Sequence, residues 1–270
     1  MFITLLFSLG CAGLGAAILR RLLVEMDDAL RLGLAGLVGL GMVGLLTLFV
    51  GLVPGGLVWG VYSIGVLVFF GLVWLCFRER PGRPRIHAFY EWAFVAALLA
   101  CVSMGALAAL APSGASDWDT ISHHLASTKI WLGQGTITYI PFMHQSNFPF
   151  SLDNLFIWGQ VWGGQTGAKT FTVAIYLFGI LAIFGAARQS FGRGPAWWSA
   201  MLFAAAPVVI GQAGTGYIDV GHGLFAGLGI VFAIRAATSG ARNDLWLAAI
   251  LLGFAAGTKY TGLQAILVAG

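Results

Sequence analysis

The chain has 270 residues, 59% of them hydrophobic and only 9% charged, with a formal net charge of +4. A soluble domain carries roughly 25% charged residues, so a water-soluble globular domain is excluded. The basic residues are scattered in short stretches between apolar runs, so no nucleic-acid partner is expected. A mean hydropathy of +0.89 places most of the chain in a bilayer, with membrane lipids as its first partners. The three cysteines, Cys11, Cys76 and Cys101, lie inside apolar runs. Their odd number and spacing predict neither a disulfide nor a metal site.

Apolar runs long enough to cross hydrocarbon predict an all-α, polytopic transmembrane helical bundle of eight spans: roughly 2–19, 32–53, 57–77, 88–111, 168–187, 196–214, 221–238 and 245–266. The first run has no positive charge before it, and Arg20 and Arg21 follow it. That is the reverse of a signal peptide, so it reads as a retained helix starting outside. Pro54, Gly55 and Gly56 break the second run from the third. "RERPGRPR" (78–85), "RQSFGRGP" (188–195) and "SGARND" (239–244) mark three further reversals.

Alternating the spans puts all eleven arginines on one side and turns the three lysines, Lys129, Lys169 and Lys259, toward the other. Cytoplasmic loops are enriched in basic residues. The arginine side is therefore expected to face the cytoplasm and the loop 112–167 the exterior. In that loop, residues 119–133 alternate at helical spacing. Ile121, Leu125, Ile130, Trp131 and Leu132 oppose Asp119, His123, Ser127 and Lys129, which predicts an interfacial helix. The segment "PFMHQSNFPFSLDNLFIWGQVWGG" (141–164) is rich in Phe and Trp. It predicts a second interfacial helix from Pro149 or Ser151 to about Trp162.

Few ionisable residues sit in apolar context, and those are candidates for chemistry. Asp117 and Asp119 directly follow the fourth span. Either could act as a general base at an outward-facing site, or serve as an ordinary helix N-cap. Asp219 lies in the Gly-rich "GTGYIDVGHG", where the alternative is a solvated turn. Lys259 in "GTKYTGL" falls roughly 22 Å up a core about 30 Å thick. It reads either as a cation for a lipid-linked phosphate or for Asp219, or as a snorkelling lysine, with Tyr260 favouring a lined pocket. Adjacent His123 and His124 diverge by about 100° on a helix, and no histidine pair has the i, i+4 spacing of helical metal sites. With His144 and His222 they read as neutral hydrogen-bonding groups. Glu91 is expected to pair with or reach toward the arginine-rich loop. The polar residues converge on one face: Asp117, Asp119, Lys129, Asp219 and Lys259.

In these residues the chain resembles membrane glycosyltransferases of the GT-C type, which include protein O-mannosyltransferases and the aminoarabinose transferases acting on lipid A. The resemblance covers about 88–270 and rests on "DWDTISHHLASTKIWLGQGTI…NFPFSLDNLF", on "GYIDVG" and on "GTKYTGL". It implies a multi-pass protein of the bacterial inner membrane with its active loop on the periplasmic side. It implies transfer of a sugar from a polyprenyl-phosphate donor to an external lipid, glycan or protein acceptor, with inversion. Aligned to Gly135, Asp119 matches the catalytic acid, with Asp117 second; Lys129, Asp219, Lys259, Tyr260 and His123 match donor- or acceptor-binding positions. His123 stands where many relatives have Tyr. No cofactor is required by the resemblance; a divalent cation is optional, since some relatives use one.

Residues 1–86 form three helices ahead of the helix that is usually first, and read as an N-terminal extension to a core at 87–270. Relatives continue beyond "LQAILVAG", so that core is expected to be incomplete. Two other functions fit the same sequence. One is a non-catalytic subunit of a larger membrane complex that keeps this fold. The other is a lipid or solute transporter, which would line an aqueous path with polar residues from both faces.

Overall fold

In the computed structural model, residues 1–20, 22, 26–78 and 88–270 are described. The expected loop 79–87, with Arg80, Arg83 and Arg85, and the position of Arg21 lie outside the described residues. Among the described residues there are eleven α-helices and no strand. In chain order they are α1 (Phe2–Leu19), α2 (Asp28–Gly51), α3 (Gly56–Arg78), α4 (Phe89–Leu110), α5 (Leu125–Gln134), α6 (Asp153–Phe191), α7 (Arg193–Ala205), α8 (Pro207–Gln212), α9 (Asp219–Ser239), α10 (Arg242–Thr258) and α11 (Gly262–Ala269).

Six of these are long and apolar enough to cross a membrane: α1, α2, α3, α4, α6 and α9. The number differs from the eight expected because two apolar runs are broken. The run 196–214 is split at Ala206, where Pro207 starts α8; a proline cannot donate within a helix but suits its first turn. The run 245–266 is split at Lys259, which is extended. The chain then folds back so tightly that a Cβ on Gly262 would lie 2.2 Å from the Ala255 carbonyl carbon.

The expected second interfacial helix also differs. Residues 153–162 are the first arm of α6, and the helix reverses at Gly163 and Gly164, the latter at φ 56°. The two arms lie back to back: a Cβ on Gly159 would come within 2.4 Å of the Ala168 backbone. Only glycine permits that approach and that dihedral. The first arm is buried rather than spread on a surface, with Leu155, Phe156, Ile157 and Trp158 all in the core. Trp158 Nε1–H donates to Thr47 Oγ1 at 2.8 Å, which ties this arm to α2.

α2 runs along α6 and shares one apolar core with it, α1 and α9. Gly15 against Ala35 and Gly39 against Cys11 bring the α1 and α2 backbones into contact, as small residues do in membrane bundles. At the arginine-rich end, ion pairs cross between helices. Arg188 pairs with Asp27, Arg193 with Glu91, and Arg235 with Asp244. Glu91 is buried and takes both arms of Arg193, at the start of α7. At the opposite end, buried Lys169 Nζ donates to the carbonyls of Ala108 and Ala111, which close α4 before the long loop.

These two ends set a labelling test of sidedness. Ser116 and Ser190 are exposed at opposite ends, and Cys76 is the exposed native cysteine. In a Cys76→Ser background, Ser116→Cys should react with a membrane-impermeant maleimide in intact cells. Ser190→Cys should react only after permeabilisation. The reverse pattern would invert the orientation.

Candidate functional site

Between α4 and α6 the chain first turns, then forms one short π-helical stretch, Thr120–His124, that runs into α5. The predicted helix over 119–133 is present, but its buried side is different. His124, Ser127, Thr128 and Trp131 point inward and Ile121 is exposed. Ser127 and Thr128 lose nothing by burial, because each hydroxyl donates to a backbone carbonyl one turn earlier. Gly135, at φ 70°, ends α5, and Trp131 Nε1–H donates to the Thr138 carbonyl at 2.7 Å.

The two neighbouring acids divide their tasks. The Thr120 hydroxyl donates to Asp117 Oδ1, while Thr120 Oγ1 accepts from the Gly216 N–H at 2.8 Å. Asp117 thus fastens the turn to the loop before α9. Asp119 makes no side-chain cap; it is exposed and lines a cavity of about 540 Å³. Its own N–H donates to the Tyr217 hydroxyl at 3.4 Å.

That cavity gathers residues from five parts of the chain. The π-helical turn supplies Asp119, His123 and His124; the loop before α6 supplies His144, Gln145 and Phe148. Asp153 comes from the start of α6, Asp219 and His222 from α9, and Thr258, Lys259, Tyr260 and Thr261 from the break after α10. Lys259 Nζ donates to Asp219 Oδ1. The Tyr260 hydroxyl donates to the Asn147 carbonyl at 3.1 Å, and its ring stands edge-on to Phe148. Ser151 is pinned to the end of α10 through its N–H to the Gly257 carbonyl at 3.0 Å and its hydroxyl to Thr258 at 2.9 Å. The helix break therefore does two things: it frees Lys259 to reach α9, and it anchors the aromatic loop. Lys259 is not carried on a continuous helix, as its sequence position suggested.

Of the residues singled out in the sequence, Asp119, His123, Asp219, Lys259 and Tyr260 meet at this cavity. Asp117 is turned toward Thr120, and Lys129 is exposed on α5 away from the cavity wall. The sequence reading missed the role of Asp153. It is wholly buried, and His124 Nδ1 lies 2.5 Å from its Oδ1. The signal was present: Asp153 is the only Asp, Glu, Lys or Arg between Lys129 and Lys169, and an acid in so apolar a stretch needs a partner.

The two histidines differ in proton affinity for stated causes. Burial pushes His124 down, but the charge and hydrogen bond of Asp153, with help from Asp119, outweigh it and hold its pKa above the ordinary 6.5. Burial, together with the adjacent His124, holds His123 below that value despite Asp119 and Asp153. No group of three His, Cys, Asp or Glu side chains that could hold a metal occurs among the described residues.

A second, apolar groove of about 470 Å³ runs between α6, α7, α8 and α9. Phe203, Val208, Val220, Leu224 and Val231 line it, and Asp219 stands in its wall as well as in that of the polar cavity. Gly223 and Gly227 also face it, and a Cβ on either would meet nothing within 4 Å.

The family of dolichyl-phosphate-mannose-protein mannosyltransferases matches residues 161–269. That stretch includes Asp219 and Lys259 and leaves out the turn with Asp117 and Asp119. No curated protein and no solved structure gives a match. The fold and the partial match together are those of a polytopic helical membrane protein, consistent with the GT-C superfamily in general.

The histidine pair gives a pH prediction. In histidine-selective NMR of the purified protein, His124 should take up its proton at higher pH than His123 as the sample is acidified. Because the folded pKa of His124 is raised, the pair's contribution to stability is complete below 6.5 and is lost as pH rises through the raised value. Asp153→Asn should move the His124 titration down. Simultaneous titration of the two rings, or His123 first, would contradict the geometry.

Proposed function

We propose that this chain transfers a sugar from a polyprenyl-phosphate donor to an acceptor hydroxyl at the external membrane face. The observation that carries the reading is the meeting of a polar, acid-lined cavity and an apolar groove at one residue, Asp219. Such a site suits a molecule with a polar head and a long hydrocarbon tail. The partial family match supports the same class of substrate.

On this reading the lipid tail occupies the groove and the phosphate lies beside Lys259 and Asp219. The sugar projects into the cavity over Asp119. Asp119 accepts the proton of the acceptor hydroxyl; that oxygen attacks the anomeric carbon from the face opposite the phosphate. The bond between the anomeric carbon and the phosphate oxygen breaks, and both its electrons leave with the polyprenyl phosphate. Lys259 stabilises the charge that develops there. Asp119 is open to solvent and returns its proton to water. Asp117, held by Thr120, keeps the turn in place. Lys129, exposed on α5, is left as a contact for the acceptor.

Two substitutions test this. General-base catalysis contributes about 10²–10⁴-fold, so Asp119→Asn should lower turnover of the full-length protein by about that factor. Asp117→Asn should lower it less. Gly227→Leu enters open space and improves helix propensity, so folding should be unharmed. Each displaced methylene of a tail costs about 0.8 kcal/mol; displacing two should cut kcat/KM for a long-chain donor about tenfold. A short-chain, water-soluble donor should be spared. If no polyprenyl-phosphate sugar is consumed by the wild-type chain, it is a non-catalytic relative of the fold.

A further inference from the structure

Asp153 has no access to bulk solvent. Its Oδ1 is engaged by His124, but Oδ2 is buried with no hydrogen-bond partner among the described residues. An unsatisfied buried carboxylate oxygen carries a heavy desolvation cost. The same residue contributes to the wall of the cavity that Asp119 and Thr258 also line. An orphaned oxygen on a residue that lines a cavity leaves one hydrogen bond for a ligand to supply.

The chemistry of that group follows from the pair. His124 Nδ1–H donates to Oδ1, and the imidazole is itself buried and at van der Waals range from His123, with ring centroids 4.1 Å apart. The carboxylate outweighs burial and favours the charged imidazolium, so it already has a countercharge. What Oδ2 lacks is a hydrogen bond rather than a cation, and a neutral O–H provides it. With Nδ1 committed to Asp153, the other ring nitrogen of His124 is left for the cavity. Acceptor and donor side by side match the vicinal hydroxyls of a sugar, and His144, Gln145 and Tyr260 offer more polar groups around them.

We infer that the buried Asp153–His124 pair is a sugar-recognition subsite, in which Asp153 Oδ2 accepts a hydrogen bond from one hydroxyl of the transferred hexose and thereby selects it. This rests on the glycosyl-transfer reading above and adds the group that distinguishes one sugar from another. Because the pair is buried and Asp119 is exposed, Asp153 binds the sugar ring and takes no part in deprotonating the acceptor.

The test uses the full-length protein in lipid nanodiscs. Binding is measured for bare polyprenyl phosphate, for the same lipid carrying glucose, mannose or galactose, and for the single-deoxy versions of the sugar that binds best. Wild-type protein should bind one sugar-bearing lipid more tightly than the bare lipid. One deoxy position should lose about 10- to 100-fold, the range for a hydrogen bond to a charged group. Asp153→Asn turns an amide N–H toward the sugar O–H and should lose a similar factor for the parent sugar. It should show no further loss with that deoxy analogue and should bind the bare lipid as the wild type does.

If every deoxy analogue binds the wild type as well as the parent does, water satisfies Oδ2 and the inference fails. It fails too if Asp153→Asn weakens bare lipid and sugar-bearing lipid equally. The deoxy series on wild-type protein decides the matter even where the variant does not fold. Binding of bare lipid with no gain from any sugar overturns this subsite and leaves the lipid-phosphate site standing. Binding of neither lipid overturns the glycosyl-transfer reading itself.

Discussion

Hydrocarbon offers no hydrogen-bonding partner, so every polar group of this chain must find one in the protein or be moved to an end of the bundle. The structure follows from that constraint. At the arginine-rich end, three cross-helix ion pairs join α2 to α6, α4 to α7 and α9 to α10. At the other end, Lys169 closes the carbonyls of α4, and Lys259 pairs with Asp219. Between the two ends the helices meet through small residues and aliphatic side chains. Thr47 with Trp158 and Tyr176 with the Ala204 carbonyl are polar groups that remain inside and are matched across helices.

The cavity is one place where this rule is left incomplete. Asp119, Asp153 and Asp219 all reach it, and they are three of the four acids that lie in the sequence between Glu91 and Asp244. Their environments are distinct. Asp119 is exposed; Asp219 accepts a hydrogen bond from Lys259; Asp153 is buried against an imidazole. A cavity with three carboxylates in three settings can assign proton transfer, charge neutralisation and hydroxyl recognition to separate residues. The proposed chemistry uses that division, and it asks nothing of Asp117, whose carboxylate is spent on the turn.

Helix breaks do the positioning. The reversal at Gly163 and Gly164 turns the first arm of α6 inward and carries Asp153 beneath the cavity. The extended backbone at Lys259 projects its side chain to α9, and the same break gives Ser151 and the aromatic loop their anchor. The Pro207 break separates α7 from α8 and shapes one wall of the apolar groove. Each break exposes backbone groups that a continuous span would satisfy, which is tolerated where the backbone faces protein or a cavity.

Much of this was determined by the sequence alone. Composition dictated a membrane bundle, the arginine and lysine distribution separated its two ends, and Gly55, Gly192 and Gly240, all at positive φ, mark reversals that were legible as glycine-containing breaks. Asp119, Asp219 and Lys259 could be singled out because charge is rare in so apolar a chain. Only the tertiary structure decided that two apolar runs are interrupted, since hydropathy averages over a window and does not register a single extended residue such as Lys259. The resemblance ranked Asp119 ahead of Asp117, but only the structure gave them different settings, because Asp117 is held by Thr120, which in turn meets Gly216, 96 residues further on. And only it joined His124 to Asp153, 29 residues on: a buried ion pair is a meeting of distant segments, and local spacing carries no trace of which partner the fold brings.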